Sequence, residues 1–341
     1  MSAASLQLWA RNHALTRVEI ESALWKTRTL VKTSLVGQTL HLIPADQLTL
    51  YITALKRSRV TSALRVMAKF GITHEEADAV TALIVDAPAT GPLGRAAISA
   101  AVRPKVSKRV REWMAAVWSI VRNPVSEGLV CYGPGVGHEV KFIRVDQWLP
   151  KMKPISETEE QCALLSKYLR SYGPATVRDF SKWSGLPVPQ IKPLPEMLKD
   201  ELTEIEIEGH KCLLIAEDWR VLRNRPTGET SVRLLPGFDP FLSAHADKAH
   251  LVAPAYFKRV YRNQGWISPV VLRDGKITGI WSYKFRGGKV RIEIQSFDEV
   301  SRAVHSRVEK EAAGLARFFH KVHEIVAAVQ SVNSQARRNQ N

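Results

Sequence analysis

The chain has 341 residues, 45% of them apolar and 24% charged, enough for several small domains whose cores need no staples. Its 49 Lys and Arg against 33 Asp and Glu leave a formal charge of +16, which excludes an acidic surface and implies polyanionic partners: DNA, RNA or an anionic membrane face. No apolar run approaches the ~20 residues that cross a bilayer, and MSAASLQLWARNH lacks a signal-peptide pattern, so a cytoplasmic, non-membrane protein is expected.

The first predicted helix after the opening SLQLWARNH starts at a capping box, Thr16 with Glu19, and runs to about Thr27 with Ile20, Ala23 and Leu24 inward. TLVKTSLVGQTLHLI then reads as strand, turn at Gly37-Gln38, strand. Residues 45–85 are helical and alanine-rich, with a basic knot at Lys56–Arg59. Gly91-Pro92 opens a short helix. Ser107 is placed to cap a longer one through residue 123, with Val110, Trp113, Met114, Val117 and Val121 at helical spacing. LVCYGPGVGHEVKFIRV reads as two strands around a glycine-rich tip, which lacks the Lys-Ser/Thr ending of a phosphate loop.

Ser156 and Glu159 cap a helix that ends near Tyr172 before Gly173-Pro174. Thr176 and Asp179 start another, stopped by Gly185. Residues 188–200 predict a third, weakened by Pro193 and Pro195, and EIEIEGHKCLLI predicts a hairpin turning at Glu208-Gly209. Three short helices and a hairpin are the winged-helix order. Beyond Arg225-Pro226 the chain turns β-branched and glycine-punctuated, predicting a small antiparallel sheet or barrel with turns at Asp274-Gly275 and Gly287-Gly288. Residues 300–329 predict a closing helix.

The expected class is therefore α+β: tandem winged-helix modules, then a C-terminal small β-barrel and a closing helix. The first module spans 1–55 and looks N-terminally incomplete, because the residues before Thr16 supply one helix and not two. A helical linker and second module take 56–150, a third module 151–225, the barrel 226–300, the closing helix 301–330 and a disordered tail 331–341.

Candidate polyanion contacts are the cluster Arg103, Lys105, Lys108, Arg109 and Arg111 at a helix entry, and Lys284, Arg286, Lys289 and Arg291 on the arms of the hairpin with a Gly-Gly tip. Alternation puts Tyr283, Phe285, Val290 and Ile292 on that hairpin's other face. Trp266, Trp281 and the other tryptophans are expected in cores. Cys131, Cys162 and Cys212 have neither metal-ligand nor disulfide-framework spacing, and Cys131 and Cys212 lie in apolar strand-like runs; no metal and no cofactor are expected. His41, on a strand, is a weak candidate for a reacting or phosphate-contacting group beside the reading of a half-buried, hydrogen-bonded histidine. Asp239, in PGFDPF, is a weak candidate acid beside a turn-capping role. Asp179 reads as a helix-capping acid.

Four stretches, RTLVKTSLVGQTLHLIPADQL, LRSYGPATVRDFSKWSGL, LLPGFDPFLSAHADK and GWISPVVLRDGKITGIW, together resemble the AlkZ-like (YcaQ-like) bacterial winged-helix DNA-binding family. The resemblance covers about residues 5–320. It implies three winged helices and a β-barrel, double-stranded DNA as partner, and, in some members, glycosylase action on bulky N7-alkylpurines and interstrand crosslinks. Thr39 and His41 match the family's Thr-x-His, whereas Gly37 stands where an Arg is usual. The Gln-x-Gln or Gln-x-Asp motif of glycosylase members would fall upstream of Met1, and Gln7 is out of register with it. Two readings stay open: a start assigned too far downstream, or a member that binds DNA without catalysis, as a regulator or lesion sensor. As it stands the chain is expected to show weak or no glycosylase activity. A monomer, associated with the nucleoid when bound, is expected; RNA binding by charge alone is the third reading.

Overall fold

The computed structural model describes residues 3–117, 119–137, 139–150, 156–224, 230–320 and 322–327. The chain forms two compact units, Glu21–Trp219 and Met1–Ile20 with Arg220–Asn341.

In the unit of residues 21–219, β1 (Leu30–Ser34) and β2 (Leu40–Pro44) pair antiparallel around a turn in which Gly37 takes φ 59°. The helix Leu48–Ala68 follows, then His74–Asp86, started by a reciprocal Thr73–Glu76 capping box. A two-residue strand, β3 (Leu93–Gly94), leads into helix Arg95–Val102. The helix predicted from Ser107 runs only Lys108–Ala116, and a second one begins at Arg122. Pro124 explains the break: it lacks an N–H, so it fits the first turn of a new helix and not the interior of an old one. Ser107 also differs from expectation, its hydroxyl donating to Glu76 (3.1 Å) across to the neighbouring helix.

The hairpin β4 (Val130–Gly133) and β5 (Lys141–Arg144) joins the first one at Lys32 opposite Tyr132, and β3 pairs with β5, giving one five-stranded sheet in the order β2-β1-β4-β5-β3. Helices Glu157–Tyr172 and Val177–Ser184 carry the predicted capping boxes, and Gly185 ends the second at φ 77°. Two single turns, Val188–Ile191 and Leu194–Met197, replace the predicted third helix, because each proline can only begin a turn. β6 (Leu202–Ile207) and β7 (His210–Ile215) form the predicted hairpin, turning through positive φ at Glu208 and Gly209. Ala175 bridges to Leu213 beside it. A short strand (β3) or a single bridge (Ala175), then three helical segments and a hairpin that pairs back to it, thus occur twice, at 93–144 and 175–215. Tyr168, Phe180, Leu164 and Leu165 fill the core of the second copy; Ile98, Val102, Trp113 and Val130 fill that of the first.

In the other unit, helix Ala3–Arg11 buries Leu6 and Trp9, and lies with β8 (Val232–Leu235). β8 pairs with β9 (Val270–Arg273), β9 with β10 (Lys276–Arg286) and β10 with β11 (Lys289–Ser296). The turns at Asp274-Gly275 and Gly287 have the positive φ the sequence implies. Two expectations fail here. Among the described residues these strands and β12 (Val322–Ala327) form an open sheet, β12-β11-β10-β9-β8, and not a closed barrel. Period-2 patterning fixes faces but carries no information on closure. The closing helix is only Arg302–Phe318; β12 (Val322–Ala327) follows and pairs parallel to β11. The expected tail lies outside the described residues.

Candidate nucleic-acid interface

The unit of residues 1–20 and 220–341 holds a loop built around Asp239. Its carboxylate caps the one-turn helix Pro240–Ser243 by accepting the Phe241 N–H (3.0 Å). Both oxygens also accept from Arg11, at 2.9 and 2.8 Å, and the acid is fully buried. Such a fork is both stronger and more directional than a single neutral hydrogen bond. With both oxygens engaged, Asp239 is an anchor for its loop. Gln7, one turn before Arg11, donates its amide to the Phe238 carbonyl (3.0 Å).

Phe238 itself adopts φ 58°, which costs a bulky residue about 1–2 kcal/mol, and its ring is 40% exposed. It meets Trp266 edge to face, with centroids 4.9 Å apart and planes at 82°. Gly237 permits this approach, since a Cβ there would sit 2.9 Å from the Ile267 carbonyl oxygen. Trp266, expected in the core, is 53% exposed; Trp281 is buried as expected and donates its indole N–H to the Leu235 carbonyl (2.8 Å). The pattern around Trp266 misled because a tight turn, Asn263–Gly265 with Gln264 at φ 60°, lifts it beside Arg262.

The basic hairpin of β10 and β11 places Arg286 opposite Lys289 at its tip and Lys284 opposite Arg291 below. Arg291 and Lys284 both face Glu293, at 3.2 and 4.0 Å. Arg286 and Lys289 are exposed, with no carboxylate partner among the described residues. Val290 and Ile292 are buried on the opposite face; Phe285 departs from the pattern, 51% exposed with its ring on Phe319.

A cavity of about 200 Å³ in the same unit is lined by Trp9, His13, Glu311, Gly314, Arg317 and Phe318, among others. His13 stacks on Trp9 (4.7 Å) and lies 3.5 Å from Glu311, which Arg233 approaches at 3.3 Å. Burial, then Arg233 and Arg317, hold the imidazole below its ordinary range, while burial pushes the Glu311 carboxyl up.

In the unit of residues 21–219, His41 is a hydrogen-bonded strand histidine. Its Nε2 is 2.9 Å from the Thr39 hydroxyl and 3.1 Å from the Val36 carbonyl. Burial lowers its pKa, the Val36 carbonyl partly offsets this, and the charge of Arg59 lowers it further. Arg59, from the basic knot, is buried and donates one Nη2 hydrogen to the Ser34 carbonyl; burial and then Arg122 push it down to about 10. The helix-entry cluster divides. Arg103, Lys105 and Lys108 are exposed, whereas Arg109 binds Glu76 (3.0 and 2.9 Å) and Arg111 donates to the Val106 carbonyl (2.7 Å). Asp179 closes its capping box with Thr176.

No group of three or more potential metal ligands occurs among the described residues, and no helix there is long and apolar enough to cross a membrane. Sequence reasoning singled out Asp239 but missed its partner Arg11 and the exposed pair Phe238 and Trp266. Only the i, i+4 spacing of Gln7 and Arg11 hinted that the N-terminal helix presents a polar edge.

Comparison with known proteins agrees with this outline. The family model described as DNA glycosylase AlkZ-like matches residues 1–318. The interstrand DNA cross-link repair glycosylase of Streptomyces sahachiroi is 29% identical over 296 residues, covering 84% of this chain and 78% of that protein. The solved structure of the Streptomyces sahachiroi DNA glycosylase AlkZ is similar with a TM-score of 0.79 at 27% identity, covering 95% of this chain and 89% of that one.

Proposed function

Because the chain belongs to the AlkZ-like DNA glycosylase family, we propose that it is a winged-helix protein that binds double-stranded DNA at bulky N7-alkylpurine or crosslink lesions. The observation that carries the reading is the repeated order of a short strand or bridge, three helical segments and a hairpin at 93–144 and 175–215 in so basic a chain. In a winged helix the third helix enters the major groove by its N-terminal end, and the preceding turn meets phosphates. Helix Lys108–Ala116 then presents Lys108 first, and the turn before it carries Arg103 and Lys105. Arg286 and Lys289 supply a second phosphate contact from the other unit, with Lys284 and Arg291 moderated by Glu293. Arg109 and Arg111 orient the first cluster.

In this reading residues 1–55, 56–150 and 151–225 supply successive modules, the first of them divided because residues 1–20 belong to the other compact unit, and the protein acts as a monomer on the nucleoid. An N7-alkylated purine is a cationic leaving group, so glycosylase chemistry needs chiefly a group that stabilises an oxocarbenium-like sugar and places a water. His41, whose Nε2 is held by the Thr39 hydroxyl and the Val36 carbonyl, is the candidate to hydrogen-bond such a water through its other ring nitrogen. Asp239 holds Arg11 and its loop in place.

The test pairs binding with product. Duplex DNA should bind at low ionic strength with affinity falling steeply as salt rises. Duplex carrying a bulky N7-alkylguanine should bind more tightly than undamaged duplex. Abasic sites would make the protein a glycosylase; tight lesion binding without them would make it a lesion sensor. Duplex left free at low salt would refute the proposal.

A further inference from the structure

We propose that Phe238 and Trp266 form a stacking platform for an unpaired nucleobase of the DNA ligand, with Arg262 beside them for the adjoining phosphate. The proposal rests on the DNA-binding reading above. Two large aromatic residues left 40% and 53% exposed forgo burial they would otherwise gain. Their edge-to-face contact leaves ring surface open to a third planar partner.

The rings are also fixed in place. Gln7 holds the Phe238 carbonyl, Arg11 clasps Asp239 next to it, and Gly237 brings the loop against Ile267. Trp266 accepts the Arg262 N–H at its carbonyl (2.8 Å), beside the Tyr261–Ile267 bridge. Ordering has thus been completed before a ligand arrives, which raises affinity without new contacts. Positive φ at Phe238 and at Gln264 fits a functional constraint, since strain of this kind survives where the surroundings enforce it.

Charge selects the occupant. Arg262 is exposed across the turn from Trp266, and Lys258 is exposed on the preceding helix turn Phe257–Val260. Exposed ring surface with exposed cations on the same turn and on the helix turn before it suits a base and its phosphates, and any base has a π-face to offer. Within an intact duplex the bases are stacked on each other, so the platform favours a base that has left its pair, as one opposite or beside a bulky adduct does.

The test uses the whole chain and duplexes of one sequence, either fully paired or carrying a single unpaired 2-aminopurine. Anisotropy gives affinity and 2-aminopurine emission reports stacking. Wild-type protein should favour the unpaired probe by about tenfold and quench it, in line with the measured worth of base–aromatic stacking. Trp266→Ala should bring that ratio near unity and abolish quenching, with the affinity for paired duplex held. Trp266→Phe should restore part of both. Circular dichroism should show unchanged folding, since the ring is exposed. Trp266→Ala and Phe238→Ala proteins that keep the preference and the quenching would overturn the platform. Wild-type protein that binds paired duplex but shows no preference would overturn it while leaving the DNA reading intact; protein that leaves both duplexes free would overturn both. Tighter binding to single-stranded RNA of the same sequence would assign the platform to RNA and overturn the proposal as stated.

Discussion

Arg11 and Asp239, 228 residues apart in the chain, meet through two parallel hydrogen bonds in which a fully buried carboxylate depends on a guanidinium from the N-terminal helix. Arg11→Ala leaves the buried Asp239 carboxylate short of two donors, and because Arg11 itself is about half exposed the loss should be about 1–3 kcal/mol. Urea unfolding should show that loss. Arg11→Lys keeps the charge but not the fork and should fall between the two. Equal stability of all three proteins would contradict the pairing.

Gly237→Ala places a methyl group 2.9 Å from the Ile267 carbonyl oxygen. Backbone on both sides must shift, so about 1–3 kcal/mol of stability should be lost. The same protein should lose quenching of the unpaired probe, because Phe238 moves with the loop. Thermal unfolding and the fluorescence assay together check this.

At the hairpin tip, reversing Arg286 and Lys289 to Glu should weaken binding to every duplex and lower the slope of log K against log salt by about two phosphate contacts. Glu293→Gln should act in the opposite direction, since it frees Lys284 and Arg291 from a carboxylate. Salt titrations of the two variants should diverge around the wild-type line, with unfolding temperatures unchanged.

His41 gives a pH dependence of definite sign. Its folded pKa lies below the ordinary 6.5, so just under that pH the unfolded chain binds the proton more readily than the native one. Stability from this residue is complete above 6.5 and is lost as pH falls through the depressed folded value. His41→Gln should remove that part of the acid-side decline. Denaturation midpoints of both proteins measured from pH 7.5 to pH 5 would show a difference that narrows downwards; parallel curves would exclude His41.

Much of the local structure was legible because it is written in adjacent residues. Thr16 with Glu19, Ser156 with Glu159 and Thr176 with Asp179 each satisfy donors within one turn, and Glu208-Gly209 turns a hairpin by its own backbone preference. What was missed depends on distant partners. Val322–Ala327 looks helical in sequence, yet β11 recruits it as a parallel strand. Barrel and open sheet share one alternating pattern, so closure was invisible. Of the site, the basic segments and Asp239 were found from composition and a short motif. Arg109 and Arg111 turned out to serve Glu76 and Val106, because a charge run does not reveal which members are already engaged. Residue type alone points Trp266 inward, and only the turn at Asn263–Gly265 reverses that.

The link between Lys32 and Tyr132 has a practical consequence. Two hairpins far apart in the chain complete each other's ladder, so neither has a finished border alone. A fragment cut between them would display a raw row of amides and carbonyls and tend to self-associate. Genes for shorter versions of this protein should therefore be divided elsewhere.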